Sequence, residues 1–394
     1  VRQELINHID DLHDLANLLQ GAFVDKDQVI ELMLTCAIAQ EHLLIVGPPG
    51  TAKSELVKRF AQLCSPRGLQ PEGGLVPYFE YLLTRFTEPN EIFGPVDIKG
   101  YREQAHHRRI TDTMLPRAEM AFLDEIFKAN SAILNALLTI LNERVFYNGS
   151  RVEEVPLLYA IGATNEVPDD PTLAALYDRF PVRVWSDNVE EANFDKLFRR
   201  GWQLEKNRIR SGYKVSLGNV TTTGALRTLY RALDEVNLEP IAGHYREVVR
   251  RIRAEGIELS DRRVIKLLKL IAASALQRKS LEAGCVDFWV LNHVWHNPEQ
   301  ISHLQAILGP YQDEENAMHW QNERQLEIIE NELKGLAGCQ DRLRTDVDFT
   351  DFFHRAEIVR RELLGHSDSA GASVLLGRVR ELIETVMAVL EAQE

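Results

Sequence analysis

Residues 42–63 read HLLIVGPPGTAKSELVKRFAQL, and this stretch decides the fold. Leu43 to Val46 has the composition of a buried strand, Gly47 to Gly50 supplies a tight turn, and the residues after it carry helical apolar spacing. Strand, glycine-rich loop and helix in that order make a phosphate cradle, because loop amides and a helix N-terminus both present positive charge to an anion. The loop is Gly47, Pro48, Pro49, Gly50, Thr51, Ala52, Lys53 and Ser54, a Walker A pattern in which Lys53 reaches the β and γ phosphate oxygens and Ser54 binds Mg2+. One position departs from the strict pattern. Ala52 stands where Gly is usual, and the loop closes around it provided the residue needs no positive φ.

A second motif follows about 70 residues later. Glu119 to Ile126 reads EMAFLDEI, a buried strand ending in two carboxylates, which places them at the carboxyl edge of a parallel sheet where open α/β sheets bind ligands. Asp124 is then the Mg2+-shell carboxylate and Glu125 the group that orients and deprotonates an attacking water. A third strand, Leu157 to Ala163, ends at Thr164 and Asn165, and an amide at that tip is placed to hold the water against a γ-phosphate. Asn at a strand end is ordinarily a turn former, so this reading depends on the two other motifs.

Composition narrows the function classes. With 45 basic and 59 acidic residues the formal net charge is −14, which argues against a dedicated nucleic-acid binder, since affinity for phosphate backbones rests on clustered Lys and Arg. The charge is uneven: residues 301–394 hold 18 acidic and 9 basic side chains, whereas residues 241–279 hold 10 basic and 4 acidic. The basic stretch reads first as solvated helix faces and intersubunit pairs, and second as a surface that attracts phosphate. The sequence has no run of 18 apolar residues and opens with Val1, Arg2, Gln3 and Glu4, so a soluble cytoplasmic protein without a transmembrane segment is expected. Cys36, Cys64, Cys285 and Cys339 lie far apart, a spacing that fits reduced thiols better than zinc ligands or a disulfide framework.

Taken together, GPPGTAKS with its Ala52, FEYLLTRFTEPNEIFGP (Phe79 to Pro95), AFLDEIFKANSAILNALLTILNERVFYNG (Ala121 to Gly149) and ALYDRF (Ala175 to Phe180) resemble the MoxR branch of AAA+ ATPases, most closely its RavA-like members. The resemblance covers about residues 1–300. It implies an Mg-ATP hydrolase that assembles as a homo-hexamer and remodels a client protein, with a von Willebrand factor A domain protein as partner. It assigns Asn165 as sensor 1, Arg179 as an arginine finger acting on a neighbouring subunit's nucleotide, and Arg262 as sensor 2, with Arg263 an equally good guanidinium one residue on. A guanidinium fork suits the finger role because it neutralises charge spread over γ-phosphate oxygens; the plain alternative for Arg179 is an ion pair with Asp178. The resemblance also places two loops toward a ring pore: EIFGPVDIK (Glu91 to Lys99), where Gly-Pro interrupts a helix, and VFYNGSRV (Val145 to Val152), a hairpin read as turning about Asn148-Gly149.

The expected architecture is α/β: a three-layer parallel-sheet nucleotide core over residues 1–200, a helical lid over 201–300 and a C-terminal helical appendage over 301–394. Asp261 to Gln277 is the clearest lid helix, with Ser260 as its cap and Val264, Leu267, Leu268 and Ile271 on one face, a packing that aims Arg262 at the nucleotide. In the appendage, Leu326, Ile329, Leu333 and Leu336, and then Leu376, Val379, Ile383, Val386 and Leu390, form two apolar stripes joined by a flexible connector, Gly365 to Ser373. No strand pattern marks the β-rich insertion that RavA-like proteins carry there. His106-His107, and His293 with His296, read as polar or structural residues rather than metal ligands. Two other function classes stay open from sequence: a motor on nucleic acid, and a nucleotide-gated scaffold with slow turnover, for which Ala52 leaves room.

Overall fold

The computed structural model describes residues 2–65, 76–104, 108–168, 170, 173–211, 221–311 and 370–391, with scattered positions between 333 and 363. The chain divides into two compact units, residues 1–311 and 312–394.

The first unit opens with two helices, α1 (Gln3–Ala22) and α2 (Asp27–Ala39), which pack on each other. α2 is buried along nearly its whole length and leads through Gln40, in the left-handed conformation, into strand β1 (Leu43–Val46). All four residues of β1 are fully buried, as expected of a central strand with both faces covered. Removing Ile45 down to Ala would leave a cavity costing about 2–5 kcal/mol. After the loop and α3 (Lys53–Leu63) come β2 (Val76–Leu82), the short helices α4 (Pro89–Phe93) and α5 (Ile98–Gln104), β3 (Ala118–Asp124), α6 (Ser131–Glu143), the hairpin β4 (Val145–Asn148) and β5 (Arg151–Glu154), β6 (Tyr159–Thr164), α7 (Ala174–Tyr177) and β7 (Val182–Trp185).

Five of these strands form one sheet in the order β2-β3-β6-β1-β7, every pairing parallel. Its carboxyl edge gathers the ends of β1, β3 and β6, and so the loops at 47–54, 124–125 and 164–165. The register is tight there: Val46 pairs with Thr164 and with Trp185, and Leu82 with Asp124.

The described remainder of the first unit is mostly helical: α8 (Phe194–Ser211), α9 (Thr223–Ala232), α10 (Ala242–Ala254), α11 (Asp261–Gln277) and α12 (Ile301–Leu308), together with several 3-10 turns. α11 begins and ends where the sequence predicts. The Ser260 hydroxyl accepts the Arg263 amide at 3.2 Å, the side-chain cap an N-terminus needs, while Leu267 and Ile271 are fully buried and Val264 and Leu268 flank them. α11 packs on α2, and Lys266 and Lys269 both pair with the buried Glu41 carboxylate.

In the second unit, Leu333, Leu336, Phe352, Val359, Leu363, Val379 and Val386 build a separate apolar core. Helix α13 runs Ala370–Glu391, so the expected connector over 365–373 is helical from Ala370 onward; its earlier part, together with Leu326, Ile329 and Cys339, lies outside the described residues. No helix among the described residues is long and apolar enough to cross a membrane.

Candidate active site

The loop between β1 and α3 is built as a close approach of backbones. A Cβ at Gly47 would lie 2.1 Å from the Ser186 carbonyl oxygen, so no side chain fits there. Two bonds hold the loop's root, from the Gly47 amide to Thr164 O and from the Ser186 amide to Val46 O. At Gly50, which has φ 84°, the space beside the backbone is open. Ala52 has φ 62° and ψ 22°. The sequence-based condition that this residue avoid positive φ is therefore not met: an L-alanine occupies the left-handed region, at a cost of about 1 kcal/mol relative to glycine.

Lys53 is buried and donates to Gly47 O at 2.7 Å and Pro48 O at 2.8 Å. Burial lowers its pKa, against the opposing pull of Asp124 and Glu125. Lys26, a second buried ammonium that the sequence did not single out, donates to Asp187 O and feels the charge of Lys53. Ser54 Oγ donates to Asp124 Oδ2 at 3.4 Å. A hydroxyl and a carboxylate oxygen at this separation would take adjacent positions of an octahedral Mg2+, about 3.0 Å apart for ligands about 2.1 Å from the metal, on closing by a few tenths of an ångström. Desolvation raises the Asp124 pKa first of all, and the neighbouring Glu125 carboxylate adds to it; a bound cation would relieve both.

Glu125 stands at φ 52° directly after β3, which swings its carboxylate out of the strand and toward β6. Asn165 Nδ2 donates to its Oε1, and Lys128 Nζ pairs with its Oε2 at 3.2 Å. Lys128 was missed by sequence reading; its only signal there is the acid-to-base spacing of three residues. Lys53, Ser54, Asp124, Glu125 and Asn165 thus converge on one edge of the sheet.

Arg179 and Arg262 do not join them. Arg179 lies three residues before β7, on the amino side of a strand roughly 13 Å long. Its guanidinium meets Asp178 only loosely, at 3.6 Å, and its Nε is buried with no hydrogen-bond partner among the described residues. Arg262 sits beside it, close enough to depress the Arg179 pKa after desolvation, and donates to Asn142 on α6. Arg263, by contrast, is fully buried and spends its donors on the carbonyls of Pro181, Glu258 and Val294. Of the two candidates, Arg262 alone presents an exposed guanidinium.

Residues 10–224 match the family described as the MoxR domain in the MoxR-vWA-beta-propeller ternary systems, and residues 243–308 match an AAA lid domain.

The chain belongs to the MoxR family of AAA+ ATPases.

Two uncharacterised proteins of Methanocaldococcus jannaschii are 34% and 32% identical to this MoxR chain, over 75% and 82% of it and 73% and 82% of their own lengths. Chaperone MoxR1 of Mycobacterium tuberculosis is 30% identical over 41% of the chain and 40% of its own. A putative ATPase from Cytophaga hutchinsonii superposes with a TM-score of 0.60 at 16% identity, covering 78% of this chain and 96% of that one, a likeness of fold. The MoxR chain therefore has an AAA+ parallel-sheet core, a helical lid and a distal C-terminal helix, α13.

Two loops of the MoxR core stand out beyond the nucleotide edge. α4 stops at Gly94 and α5 begins at Ile98, the interruption that Gly94-Pro95 predicts. The hairpin turns differently from expectation: its turn residues are Gly149, at φ 64°, and Ser150, while Asn148 ends β4 and pairs with Arg151. Asn148 is buried. Its amide accepts the Arg109 N–H at 2.6 Å, donates to Arg109 O at 3.0 Å, and donates to Glu153 at 2.8 Å. Asn148 therefore clamps the hairpin to the segment after α5. Exposed Ile98, Tyr101, Tyr147 and Val152 ride on the clamped pair. His106-His107 lies outside the described residues, while His293 bonds to Arg183 O and His296 to Glu258 O and Arg263.

Proposed function

We propose that this chain hydrolyses Mg-ATP at the interface of a homo-hexameric ring and uses the cycle to remodel a client protein. The observation that carries the reading is the split of the site: five groups gather at one edge of the sheet, while Arg179, with an unpartnered buried Nε, sits at the other. A guanidinium that cannot reach its own chain's phosphates fits a head-to-tail assembly, in which one chain's finger edge faces the next chain's nucleotide edge.

In this reading the 47–54 loop amides and Lys53 bind the phosphates, and Ser54 and Asp124 hold Mg2+, which offsets charge on the β and γ oxygens when bound. Glu125 takes the proton from the attacking water, and Asn165 fixes both the Glu125 carboxylate and the water. Arg179, with Arg262 beside it, offsets charge on the neighbour's γ-phosphate. The clamped loops with Tyr101 and Tyr147 meet the client. A von Willebrand factor A domain partner is part of the proposal, supported by the matched family's description. The quoted motifs favour placement near RavA-like members, and three unpaired thiols, Cys36, Cys64 and Cys285, favour the cytoplasm.

The test is ATP turnover against protein concentration, with mass measured on the same samples, for wild type and Arg179→Ala. Specific activity rising as the hexamer forms, with a variant that assembles and does not hydrolyse, supports the ring ATPase. A monomer at full rate, matched by the variant, overturns it.

A further inference from the structure

The turn that carries Arg179 is held at both ends by buried arginines, and one of them belongs to the lid. Immediately before the turn, Tyr177 O accepts Arg183 Nη2 at 3.2 Å; immediately after it, Pro181 O accepts Arg263 Nε at 3.0 Å. Arg183 lies in β7 and Arg263 in the first turn of α11. Both side chains are fully buried. The two guanidiniums meet again at the lid: Val294 O accepts Arg263 Nη2 at 2.6 Å and Arg183 Nη1 at 3.4 Å, and Trp295 O accepts Arg183 Nη1 at 2.6 Å. Tyr177 closes the knot, its hydroxyl donating to His296 O at 2.8 Å and its ring lying 3.8 Å from the Arg183 guanidinium carbon.

A buried guanidinium stripped of its carbonyls is an uncompensated charge. A shift of the lid relative to the sheet must therefore drag the 178–180 turn with it or break these buried bonds. Residues 258, 263 and 294–296 all fall within the lid match.

We infer that Arg183 and Arg263 are positioning residues that tie the Arg179 turn to the lid of the same chain, so that each chain's lid sets how its arginine finger meets the next chain's nucleotide. This rests on Arg179 acting in trans.

Arg263→Gln removes the direct bond from the lid to Pro181 O, and Tyr177→Phe removes only the bond to His296 O. Arg263→Gln is expected to lower kcat at least tenfold and Tyr177→Phe two- to threefold, with affinity for a fluorescent ADP analogue within twofold of wild type. Each is then mixed with Glu125→Gln before assembly. At interfaces that join an intact nucleotide edge from the arginine variant to an intact finger edge from Glu125→Gln, turnover returns; in an equal mixture that is about one interface in four. Arg179→Ala mixed with Glu125→Gln is the control.

Rescue of Arg263→Gln alongside the control supports the tie, because damage to a chain's own nucleotide edge is not repaired by a neighbour's finger. Wild-type kcat in both variants, or rescue of the control alone, overturns it and leaves the trans-acting finger standing. Failure of the control to recover overturns the trans reading, and this inference with it. Should Arg263→Gln not fold, Tyr177→Phe and its mixture decide by the same criteria.

Discussion

The side-chain amide of Asn165, at the tip of β6, donates to the carboxylate of Glu125 at the tip of β3, whose second oxygen is held by Lys128. One amide thus fixes the orientation of the proposed base from the neighbouring strand. Glu125→Gln is expected to keep nucleotide affinity and lower kcat at least 100-fold, since it removes the proton acceptor but not the phosphate cradle. Asn165→Ala should lower kcat about tenfold with KM little changed, and adding it to Glu125→Gln should cost less than tenfold further, because the part of its effect that runs through Glu125 is already lost. Steady-state kinetics of the two single variants and the double variant check this; additive losses would mean that Asn165 does not act through Glu125.

Ala52 in the left-handed region gives a second prediction. Ala52→Gly relieves the backbone but frees the unfolded chain, two effects of opposite sign, so stability should change by less than about 1 kcal/mol while nucleotide binding is retained. Ala52→Val forces a β-branched side chain into the same φ and should destabilise by more than about 1 kcal/mol and weaken binding. Thermal unfolding and titration with labelled ADP separate the pair; a Val variant as stable and as tight-binding as wild type would show that the loop does not need this conformation.

Asn148 leads to a third. Its replacement by Ala leaves the Arg109 amide and carbonyl without their partner and should uncouple the segment after α5 from the hairpin, at a local cost of about 1–3 kcal/mol. Hydrogen exchange read by mass spectrometry should show faster exchange over residues 95–112 with the central strands unchanged. Unchanged exchange over those residues would show that the Val96–Arg109 bridge holds the segment by itself.

The histidines at the core–lid junction make stability depend on pH. Burial lowers the pKa of His293 to about 4, against about 6.5 when unfolded. Between those values the unfolded chain binds more protons, so stability is full above about 6.5 and falls as pH drops toward 4. At pH 5 the loss from His293 is about 2 kcal/mol. His296 is shifted to the same value, again by burial first and then by Arg183, so the slope adds. Denaturant unfolding from pH 7.5 to 4.5 should steepen in this window, and His293→Asn should flatten it; the same slope in the variant would assign the effect to other groups.

The 47–54 loop, the Asp124-Glu125 strand end and the Ser260-capped helix α11 are all written in local pattern, because each depends on neighbours in sequence: a strand's run of apolar residues, a helix cap, a glycine that admits a backbone. What local pattern leaves open is which distant groups meet. Arg262 and Arg263 are adjacent guanidiniums of identical chemistry, and only helix phase against β7 and the 294–296 segment buries one and leaves the other beside Arg179. Asn148 reads as a turn residue until the 95–110 segment arrives to bond it, and Ala52 takes positive φ because β1, β6 and Ser186 fix the loop's ends at a spacing its own preference does not set. The sequence by itself determined the strand, glycine-rich loop and helix over residues 43–63, the strand ending at Asp124 and the capped helix α11. The tertiary structure alone decided which arginines are free, which are buried, and which edge of the sheet each serves, because burial and charge pairing are properties of assembled surfaces rather than of the chain.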